Sequence, residues 1–380
     1  MKKTILSLTA MLALACVAGC SQSASETTAS GLQRSKFQKQ IGGKTSDLFV
    51  MKNNKGVEIC VTSYGARIVS WFAPDRDGKM EDIVLGYDDV QGYIDSKEPY
   101  FGAAIGRYGN RIAKGKFTLD GVECTIPINN DPNALHGGPG GFQSVVWDTR
   151  QINPSTLEFH LHSKDGDQGF PGNLHVTMTY TLTDDNEVKI AYKATTDKPT
   201  VINLTHHSFF NLHGAGNGTV NDHLLMIDAD KYTPVTSVLI PTGEIAPVAG
   251  TPMDFRKPVA IGARIEESFE QLKNGQGYDH NWVLNRTGSG LQLAARVVEP
   301  KSGRVLEVFT TEPGVQFYGG NFLDDTFKGK GGKTYGFRTA LCLETQHFPD
   351  SPNWSEFPST VLRPGETYTH ECVYKFYAEK

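Results

Sequence analysis

The chain has 380 residues, with 37 Lys and Arg against 42 Asp and Glu, which gives a formal net charge of -5. This mild acidity argues against a nucleic-acid binder, which usually carries a basic face. Hydrophobic residues make up 38% of the chain, which excludes a generally disordered protein. The 40 glycines exceed the usual share of about 7%, and long helical patterns are scarce, so the composition favours an all-β fold.

The first residues have the pattern of an export signal. Lys2 and Lys3 form a basic start, residues 4–15 are an apolar stretch too short to span a membrane, and small residues precede Cys20. This pattern resembles a bacterial lipoprotein signal, in which residues 1–19 are removed and the sulfur of Cys20 carries lipid. A plain signal peptide with an incidental cysteine, or an apolar start that is kept, are the alternatives.

Residues 21–31 are small and polar and contain no core-forming side chain, which predicts a flexible tether. We therefore expect a signal peptide over residues 1–19, a lipid-bearing Cys20 with its tether over residues 20–34, and one domain over residues 35–380. Acyl chains on Cys20 would attach the protein to a membrane of the bacterial cell envelope, either in the periplasm or at the outer membrane. The domain is expected to be a monomer.

Alternating apolar and polar residues predict antiparallel hairpins along the rest of the chain. The expected strands are 57–63 paired with 66–72, the single strand 157–162, 174–182 paired with 188–194, and 291–298 paired with 305–310. Only residues 260–272 have a helical pattern, with Gly275 as a stop signal. Many hairpins with almost no crossover helices predict one large antiparallel β-sandwich with few short helices.

Four cysteines follow the predicted signal, at Cys60, Cys124, Cys342 and Cys372. They are widely spaced and form no C-x-x-C motif. We expect buried free thiols, although spacing alone leaves disulfide pairing open.

A glycine-rich segment, residues 136–141, begins at His136 and reads His-Gly-Gly-Pro-Gly-Gly. Glycines allow a backbone to approach a ligand closely. The chain lacks the G-x-S-x-G elbow of an esterase and the G-x-x-x-x-G-K-[ST] motif of a phosphate loop. The segment is therefore either a ligand-contacting loop or a surface turn.

Two adjacent histidines, His206 and His207, lie between apolar runs in residues 203–212. Neighbours on a strand face opposite sides, so only one of them enters a given pocket. This argues against a metal held by both. His160 and His162 share the polar face of a strand and are expected to be solvated. A zinc hydrolase that uses His136, one of the adjacent histidines and an acid stays an alternative, although no H-E-x-x-H motif is present.

Two acidic residues have unusual neighbours. Asp279 follows Gly277 and Tyr278 and precedes Trp282, and aromatic faces beside a carboxylate suit a sugar. The alternative is an aspartate that caps a turn. Glu344 lies in the middle of an otherwise apolar strand, where burial raises a carboxyl pKa towards the range useful for proton abstraction.

Six segments together resemble the aldose 1-epimerase family, also called galactose mutarotases. They are residues 106–112, 133–138, 203–212, 277–284, 313–318 and 343–349, in the order that the family shows. The resemblance implies a galactose mutarotase-like supersandwich with the sugar site in a cleft over one sheet. It also implies interconversion of the α and β anomers of free aldohexoses such as galactose and glucose, with no cofactor in the chemistry. A structural metal ion such as calcium stays open.

The resemblance assigns Glu344 as the general base and His207 as the general acid. The matching sugar-binding residues are Asn110, Arg111, His136, Asp279 and Gln316. His206 departs from the family, which usually has Asn or Gln there, so a shift of the acid by one position stays open. His207 is preferred because Ser-Phe-Phe-Asn-Leu follows it, as in the family. Turnover should require an ionised Glu344 and a protonated His207, with a bell-shaped pH profile around neutrality.

Three other functions compete with this interpretation. A lipid-anchored carbohydrate-binding protein on the same scaffold would need the sugar contacts but not both Glu344 and His207. A sugar-phosphate epimerase would need basic residues beyond Arg107 and Arg111. A polysaccharide-cleaving enzyme with a related sandwich is not suggested by the six segments.

Overall fold

A computed structural model describes residues 28–380. The predicted signal peptide and Cys20 lie outside the described residues. Residues 28–34, expected to belong to the tether, pack against the domain: Leu32 is buried, and the N–H of Ala29 donates to Glu58 at 2.7 Å. The packed part of the chain therefore begins before residue 35. No helix in the part of the chain described here is long and apolar enough to cross a membrane.

The regular secondary structure consists mainly of strands, as expected. Strands β1–β10 are Gln40–Ile41, Lys44–Thr45, Leu48–Lys52, Glu58–Thr62, Arg67–Pro74, Met80–Asp82, Ala103–Ile105, Arg111–Ile112, Lys116–Leu119 and Val122–Thr125. Strands β11–β20 are Ala134–Leu135, Asp148–Asn153, Thr156–Ser163, Leu174–Leu182, Glu187–Thr196, Thr200–Val201, Thr205–His207, Leu224–Ile227, Lys231–Thr233 and Ala246–Pro247. Strands β21–β30 are Val259–Ala260, Asp279–Val283, Gln292–Val298, Arg304–Thr310, Gly314–Tyr318, Phe327–Lys328, Thr334–Tyr335, Cys342–Gln346, Val361–Leu362 and Tyr368–Ala378.

The helical segments are short. Helix α1 is Val90–Asp95 and helix α2 is Glu270–Gly275. Single 3-10 turns occur at Arg34–Phe37, Ala113–Gly115, Phe142–Ser144, Asp167–Gly169, Ile261–Ala263, Lys330–Gly332 and Ser351–Asn353. The all-β class with few short helices is confirmed.

Three sheets form the sandwich. The largest has nine strands in the order β12-β13-β14-β15-β30-β24-β23-β18-β21, a second has five in the order β20-β19-β22-β25-β28, and a third has four in the order β3-β4-β5-β6. One continuous apolar core joins them, with Trp71 from the four-stranded sheet, Ile190 from the nine-stranded sheet and Phe317 from the five-stranded sheet. Every pairing between these strands is antiparallel, as the hairpin pattern predicts.

The predicted hairpins are confirmed, and the burial pattern explains them. Along β14 every second residue is buried, starting at Leu174, and β15 pairs with it directly. Alternate side chains therefore enter the core while their neighbours face solvent.

The helix expected over residues 260–272 is wrong in extent, because only its last part is helical. The N–H of Ile261 donates to the carbonyl of His223 at 3.0 Å, and that of Gly262 to Asn221 at 2.7 Å. These bonds align the segment with the sheet edge, where Val259–Ala260 pairs with β18. Tertiary pairing has outweighed the local helical pattern, and helix α2 begins only at Glu270.

The five-stranded sheet has two different faces. Trp282, Phe317 and Leu343 point into the core from β22, β25 and β28. Side chains of the opposite parity, including Asp279, Gln316 and Glu344, share the other face, with Gln316 directly opposite Glu344 in the register. One sheet face thus collects the acidic and amide residues that the sequence places on three separate strands.

All four cysteines in the described residues are free. Cys60, Cys342 and Cys372 are buried, as expected, and Cys124 is partly exposed.

Candidate active site

A cavity of about 620 Å³ lies over the polar face of the five-stranded sheet. Its volume is typical of small-ligand sites. Six of the seven residues expected at the site line it: Asn110, Arg111, His136, His207, Asp279 and Glu344. Gln316 is not among the lining residues; its Nε2 donates to Oδ1 of Asp279 at 2.7 Å and so supports that carboxyl from the sheet.

Strand geometry separates the two adjacent histidines. Strand β17 pairs with β7, with His207 opposite Ala103 and His206 opposite Ala104. His207 faces the cavity, whereas the ring of His206 lies among core aromatics, with its centroid 5.7 Å from that of Tyr180. Of the two rings, His207 is the one that lines the cavity.

His207 and Glu344 meet at the base of the cavity. The chain beyond β17 bridges to β28, because Phe210 and Leu341 exchange backbone hydrogen bonds of 2.7 and 2.9 Å. This contact brings Nε2 of His207 to 3.4 Å from Oε1 of Glu344. The side chains of His207 and Glu344 are only 6% and 2% exposed, so an imidazole and a carboxyl face each other with little solvent between them.

Burial shifts both groups towards their neutral forms. It raises the pKa of Glu344 well above its ordinary value, with Asp279 adding to the shift and Arg111 opposing it. Burial lowers the pKa of His207 to about 3. Both shifts favour an uncharged carboxyl on Glu344 and an uncharged imidazole on His207. This differs from the expected pairing of a carboxylate with an imidazolium, because desolvation disfavours both charges.

The backbone fixes the hydrogen position on His136. Asn110 and His136 both adopt left-handed backbone angles, with φ of 60° and 51°, and face each other across the end of the β8–β11 pair. The N–H of Asn110 donates to Nδ1 of His136 at 3.1 Å. Burial, His207 and Arg111 together hold the pKa of His136 well below its usual value. The neutral ring therefore carries its hydrogen on Nε2 and is a donor.

Arg111 and Asp279 form the charged wall of the cavity. Nη1 of Arg111 lies 3.8 Å from Oδ2 of Asp279, and its Nε donates to Oδ1 of Asn130 at 3.0 Å. Burial raises the pKa of Asp279, although Arg111 and the amide of Gln316 act in the opposite direction. A guanidinium and a carboxyl side by side can donate to and accept from neighbouring hydroxyl groups.

Tyr100 and Glu98 are among the lining residues that the sequence analysis missed. The ring of Tyr100 stacks near His207, with centroids 5.7 Å apart, and meets His136 edge-on at 4.5 Å. Glu98 lines the same cavity. Both precede the irregular segment that starts at Gly102, and an acid beside an aromatic residue, the signal used for Asp279, would have pointed to them.

The zinc alternative can be tested on the donor atoms. One ligand atom from each of His136, His207 and Glu344 lies within 4.8 Å of the others, which is close enough for a shared ion. Because Asn110 donates to Nδ1 of His136, however, Nε2 of the neutral ring carries hydrogen and offers no lone pair to a metal. The set is therefore better suited to hydrogen bonding than to metal binding.

Comparison with known proteins gives a consistent result. A family model described as Aldose 1-epimerase matches residues 47–375. A galactose mutarotase of Mus musculus is 47% identical over 335 residues, covering 88% of this chain and 95% of the mouse protein. An aldose 1-epimerase of Escherichia coli (strain K12) is 41% identical over 339 residues, covering 89% of this chain and 97% of that protein.

Solved structures agree over the same range. A GalM/aldose epimerase homologue from C. elegans superposes with a TM-score of 0.81 at 32% identity, over 88% of this chain and 100% of that one. A galactose 1-epimerase from Lactobacillus acidophilus NCFM gives 0.79 at 27% identity, over 90% and 97% of the two chains. The fold is therefore that of the galactose mutarotase-like sandwiches. Since the family model and two close relatives span almost the whole sandwich, the chain belongs to the aldose 1-epimerase family.

Proposed function

We propose that the protein is an aldose 1-epimerase that interconverts the α and β anomers of free aldohexoses such as galactose and glucose. The observation that carries the proposal is the contact of 3.4 Å between Nε2 of His207 and Oε1 of Glu344, at the base of a cavity of small-ligand size. The family membership and the sugar-suited wall of Arg111 and Asp279 support it.

The reaction needs two coupled proton transfers. The C1 hydroxyl loses a proton while the ring oxygen gains one, so the C1–O5 bond breaks and an aldehyde forms. Rotation about C1–C2 and closure on the other carbonyl face give the second anomer. A base near one oxygen and an acid near the other lower the barrier, and each positioned transfer typically gives about 10²–10⁴-fold.

The pair of His207 and Glu344 can balance these protons. In ring opening, Glu344 as carboxylate takes the hydroxyl proton and His207 as imidazolium gives its proton to the ring oxygen. The pair then holds a neutral acid and a neutral imidazole, and ring closure reverses both transfers. Burial favours the neutral forms of both groups, so turnover requires the bound sugar to stabilise the carboxylate of Glu344 and the imidazolium of His207.

Other residues of the cavity bind and orient the sugar. His136 presents an N–H donor, Asp279 presents acceptor oxygens, and the guanidinium of Arg111 offers donors to a hydroxyl or to the developing oxyanion. The Arg111 charge also favours the carboxylate form of Glu344, which the base requires. Tyr100 packs against both histidine rings and limits their motion.

The rival functions fit the structure less well. Within residues 28–380, Nδ1 of His207 and Oε2 of Glu344 have no hydrogen-bond partner. A protein that only binds sugar has no need to place two such titratable groups in contact. A sugar-phosphate substrate calls for more cations. Arg107 is committed elsewhere, since its guanidinium donates to Ser163 and to the carbonyl of Gly172 at 2.7 and 2.9 Å.

We also propose that the enzyme is a monomer attached to the bacterial cell envelope through lipid on Cys20. The support is the sequence pattern alone: a basic start, a short apolar stretch over residues 4–15, and small residues before the cysteine. Metabolic labelling with a palmitate analogue tests it. Label lost on Cys20→Ser supports the anchor, and label retained by that variant contradicts it.

Polarimetry of freshly dissolved α-D-galactose tests the enzymatic proposal. We expect the protein to accelerate the approach to the equilibrium rotation without changing the final value. Binding of galactose in calorimetry with no acceleration would support the carbohydrate-binding alternative and overturn the enzymatic one.

A further inference from the structure

Glu98 is a cavity carboxyl that the proposed mechanism does not use. It lies between helix α1 and strand β7, in a turn held by Ser96, whose Oγ donates to the carbonyl of Glu98 at 2.9 Å. Oε1 of Glu98 accepts the N–H of Tyr100 at 3.2 Å. The side chain lines the cavity together with Arg111, Asp279 and Glu344.

The segment that carries Glu98 is held rigidly from behind. Arg67, which is 1% exposed, donates to the carbonyls of Pro99 and Phe101 at 2.8 and 3.0 Å and to that of Gln143 at 2.6 Å. Its guanidinium also packs over the ring of Tyr93, 5.0 Å from the centroid. The loop is therefore a fixed wall of the cavity rather than a mobile edge.

The carboxyl group of Glu98 has no cationic partner within the described residues. Among residues 28–380, no Lys, Arg or His nitrogen lies within 4.0 Å of it, and its Oε2 accepts no hydrogen bond. The guanidinium of Arg111 on the cavity wall is engaged by Asp279 and Asn130, and that of Arg67 by backbone carbonyls. The carboxyl is therefore available to a group on the ligand.

The cavity as a whole has an excess of acidic groups. Its acidic lining residues are Glu98, Asp131, Asp279 and Glu344, and its basic ones are Lys97 and Arg111. The two lining histidines are neutral, since burial lowers the pKa of each. Oε2 of Glu344 is also buried without a partner. A cation bound in this cavity would lie near several carboxyl groups and would favour their ionised forms.

We propose that Glu98 is a specificity-determining residue through which this cavity accepts an aldose carrying a free amino group. The ammonium group would donate to the unpartnered oxygen of Glu98 while the anomeric centre lies at His207 and Glu344. This inference rests on the proposed epimerase function, because it names a further substrate class for the same site.

The electrostatics of Glu98 agree with this assignment. Burial raises the pKa of Glu98 to about 7, with Asp279 adding to the shift and the Tyr100 N–H and Arg67 opposing it. A cation at hydrogen-bond distance would favour the carboxylate form and form a charge-assisted hydrogen bond. A neutral hydroxyl gains less from the same carboxyl, so the contact discriminates between the two substrates.

Polarimetry at pH 7 with the full-length protein tests the proposal. The substrates are the α anomers of 2-amino-2-deoxy-D-galactose, most of whose amine is protonated at this pH, and D-galactose. The measured quantity is the ratio of kcat/KM for the amino sugar to kcat/KM for galactose. Glu98→Gln keeps the shape of the side chain and removes its charge, and we expect it to lower this ratio about tenfold.

Asp131→Asn is the matched control. It removes the same charge from an exposed residue of the cavity mouth, where solvent screens it, and should leave the ratio within about twofold. An equal fall of the ratio in both variants would overturn the assignment to Glu98 in favour of a general field effect.

The remaining outcomes separate the inference from the function on which it rests. Acceleration of galactose but not of the amino sugar, or an unchanged ratio in Glu98→Gln, would overturn the inference and leave the epimerase intact. Acceleration of neither sugar would overturn the proposed function itself.

Discussion

The carboxyl of Glu344 and the imidazole of His207 lie 3.4 Å apart, and within residues 28–380 neither side chain has another hydrogen-bond partner. Buried polar atoms without partners reduce stability, so native proteins rarely keep them without a functional reason. The two atoms without partners here are Oε2 of Glu344 and Nδ1 of His207, which belong to the same two side chains that meet at the cavity base. Hydroxyl groups of a bound sugar can satisfy the carboxyl oxygen of Glu344 that has no protein partner.

Glu344→Gln should remove the general base. We expect kcat for galactose to fall at least about 10²-fold, because an amide cannot accept the hydroxyl proton. The amide is close in size to the carboxyl and should leave the sheet intact, so unfolding in urea should change little. Polarimetry gives the rate. Activity equal to that of the unchanged protein would remove Glu344 from the mechanism.

His207→Ala and His206→Ala should have different effects. Loss of the His207 imidazole should lower kcat at least about 10²-fold, since the proton donor is gone. His206 contacts Tyr180 and Tyr374 in the core, so its loss should destabilise the fold by about 1–3 kcal/mol and spare most of the activity. Rates and urea unfolding measured on both variants distinguish the two effects. An inactive, stable His206→Ala protein would contradict the assignment.

The local sequence pattern was enough to single out Glu344 and Asp279 as candidate site residues. It did not single out Glu98. A charged residue in an apolar strand is visible because strand alternation places it on one face regardless of distant contacts. The choice between His206 and His207 needed the family resemblance, since alternation says only that they face opposite sides. The β17–β7 pairing then placed His207 in the cavity.

Glu98 and Tyr100 belong to a loop whose position depends on partners far away in the chain. Arg67 fixes that loop through the carbonyls of Pro99 and Phe101, and no periodicity within the loop encodes such bonds. The same limitation explains the helix over 260–272. Its local pattern is helical, but backbone hydrogen bonds to residues 221 and 223 hold the start of the segment at the edge of the large sheet.

The pH dependence of kcat/KM should reflect the inverted order of the two pKa values. Burial holds the pKa of His207 near 3 and raises the pKa of Glu344 above its ordinary value, so the pair holds one proton across the range between them. Activity should fall in acid, where a second proton removes the base, and in alkali, where loss of the last proton removes the acid. Polarimetry from pH 3 to 10 measures both limbs.

The fall of kcat/KM in acid shows which group of the pair takes up the second proton. It should lie below pH 4.5, because the group that takes up the second proton is the desolvated imidazole of His207. Samples returned to pH 7 should recover full activity, which separates titration from acid unfolding. A reversible acid limb at pH 4.5 or above would show instead that Glu344 titrates as an ordinary carboxyl.

A buried ion pair beneath the site should make stability depend on pH. Nδ1 of His347 lies 2.5 Å from Oε2 of Glu312, and Asn203 links this corner to the chain that leads to His207, accepting the N–H of His347 at 2.9 Å. Burial lowers the pKa of His347, but the Glu312 carboxylate outweighs it and the net shift is upward. Burial raises the pKa of Glu312, yet its histidine neighbours bring the net shift below the ordinary value.

These directions define the window in which the pair stabilises the fold. A raised histidine pKa contributes stability fully below its unfolded value of about 6.5, and that contribution is lost as pH rises through the folded value. The lowered pKa of Glu312 contributes above its unfolded value, and that contribution is lost as pH falls through the folded one. The pair should therefore stabilise most between these limits, around pH 5.5–6, and less at higher and at lower pH.

His347→Gln measures this contribution. At pH 6 we expect the free energy of unfolding in urea to fall by about 1–3 kcal/mol, less than for a fully buried pair because the imidazole is 24% exposed. As pH rises towards 9 and the imidazole of the unchanged protein loses its proton, the difference should shrink. His160→Gln removes an exposed histidine beside Glu158 and should show no comparable pH-dependent loss. A His347→Gln deficit that is the same at pH 6 and pH 9 would mean that packing, not charge, explains the role of His347.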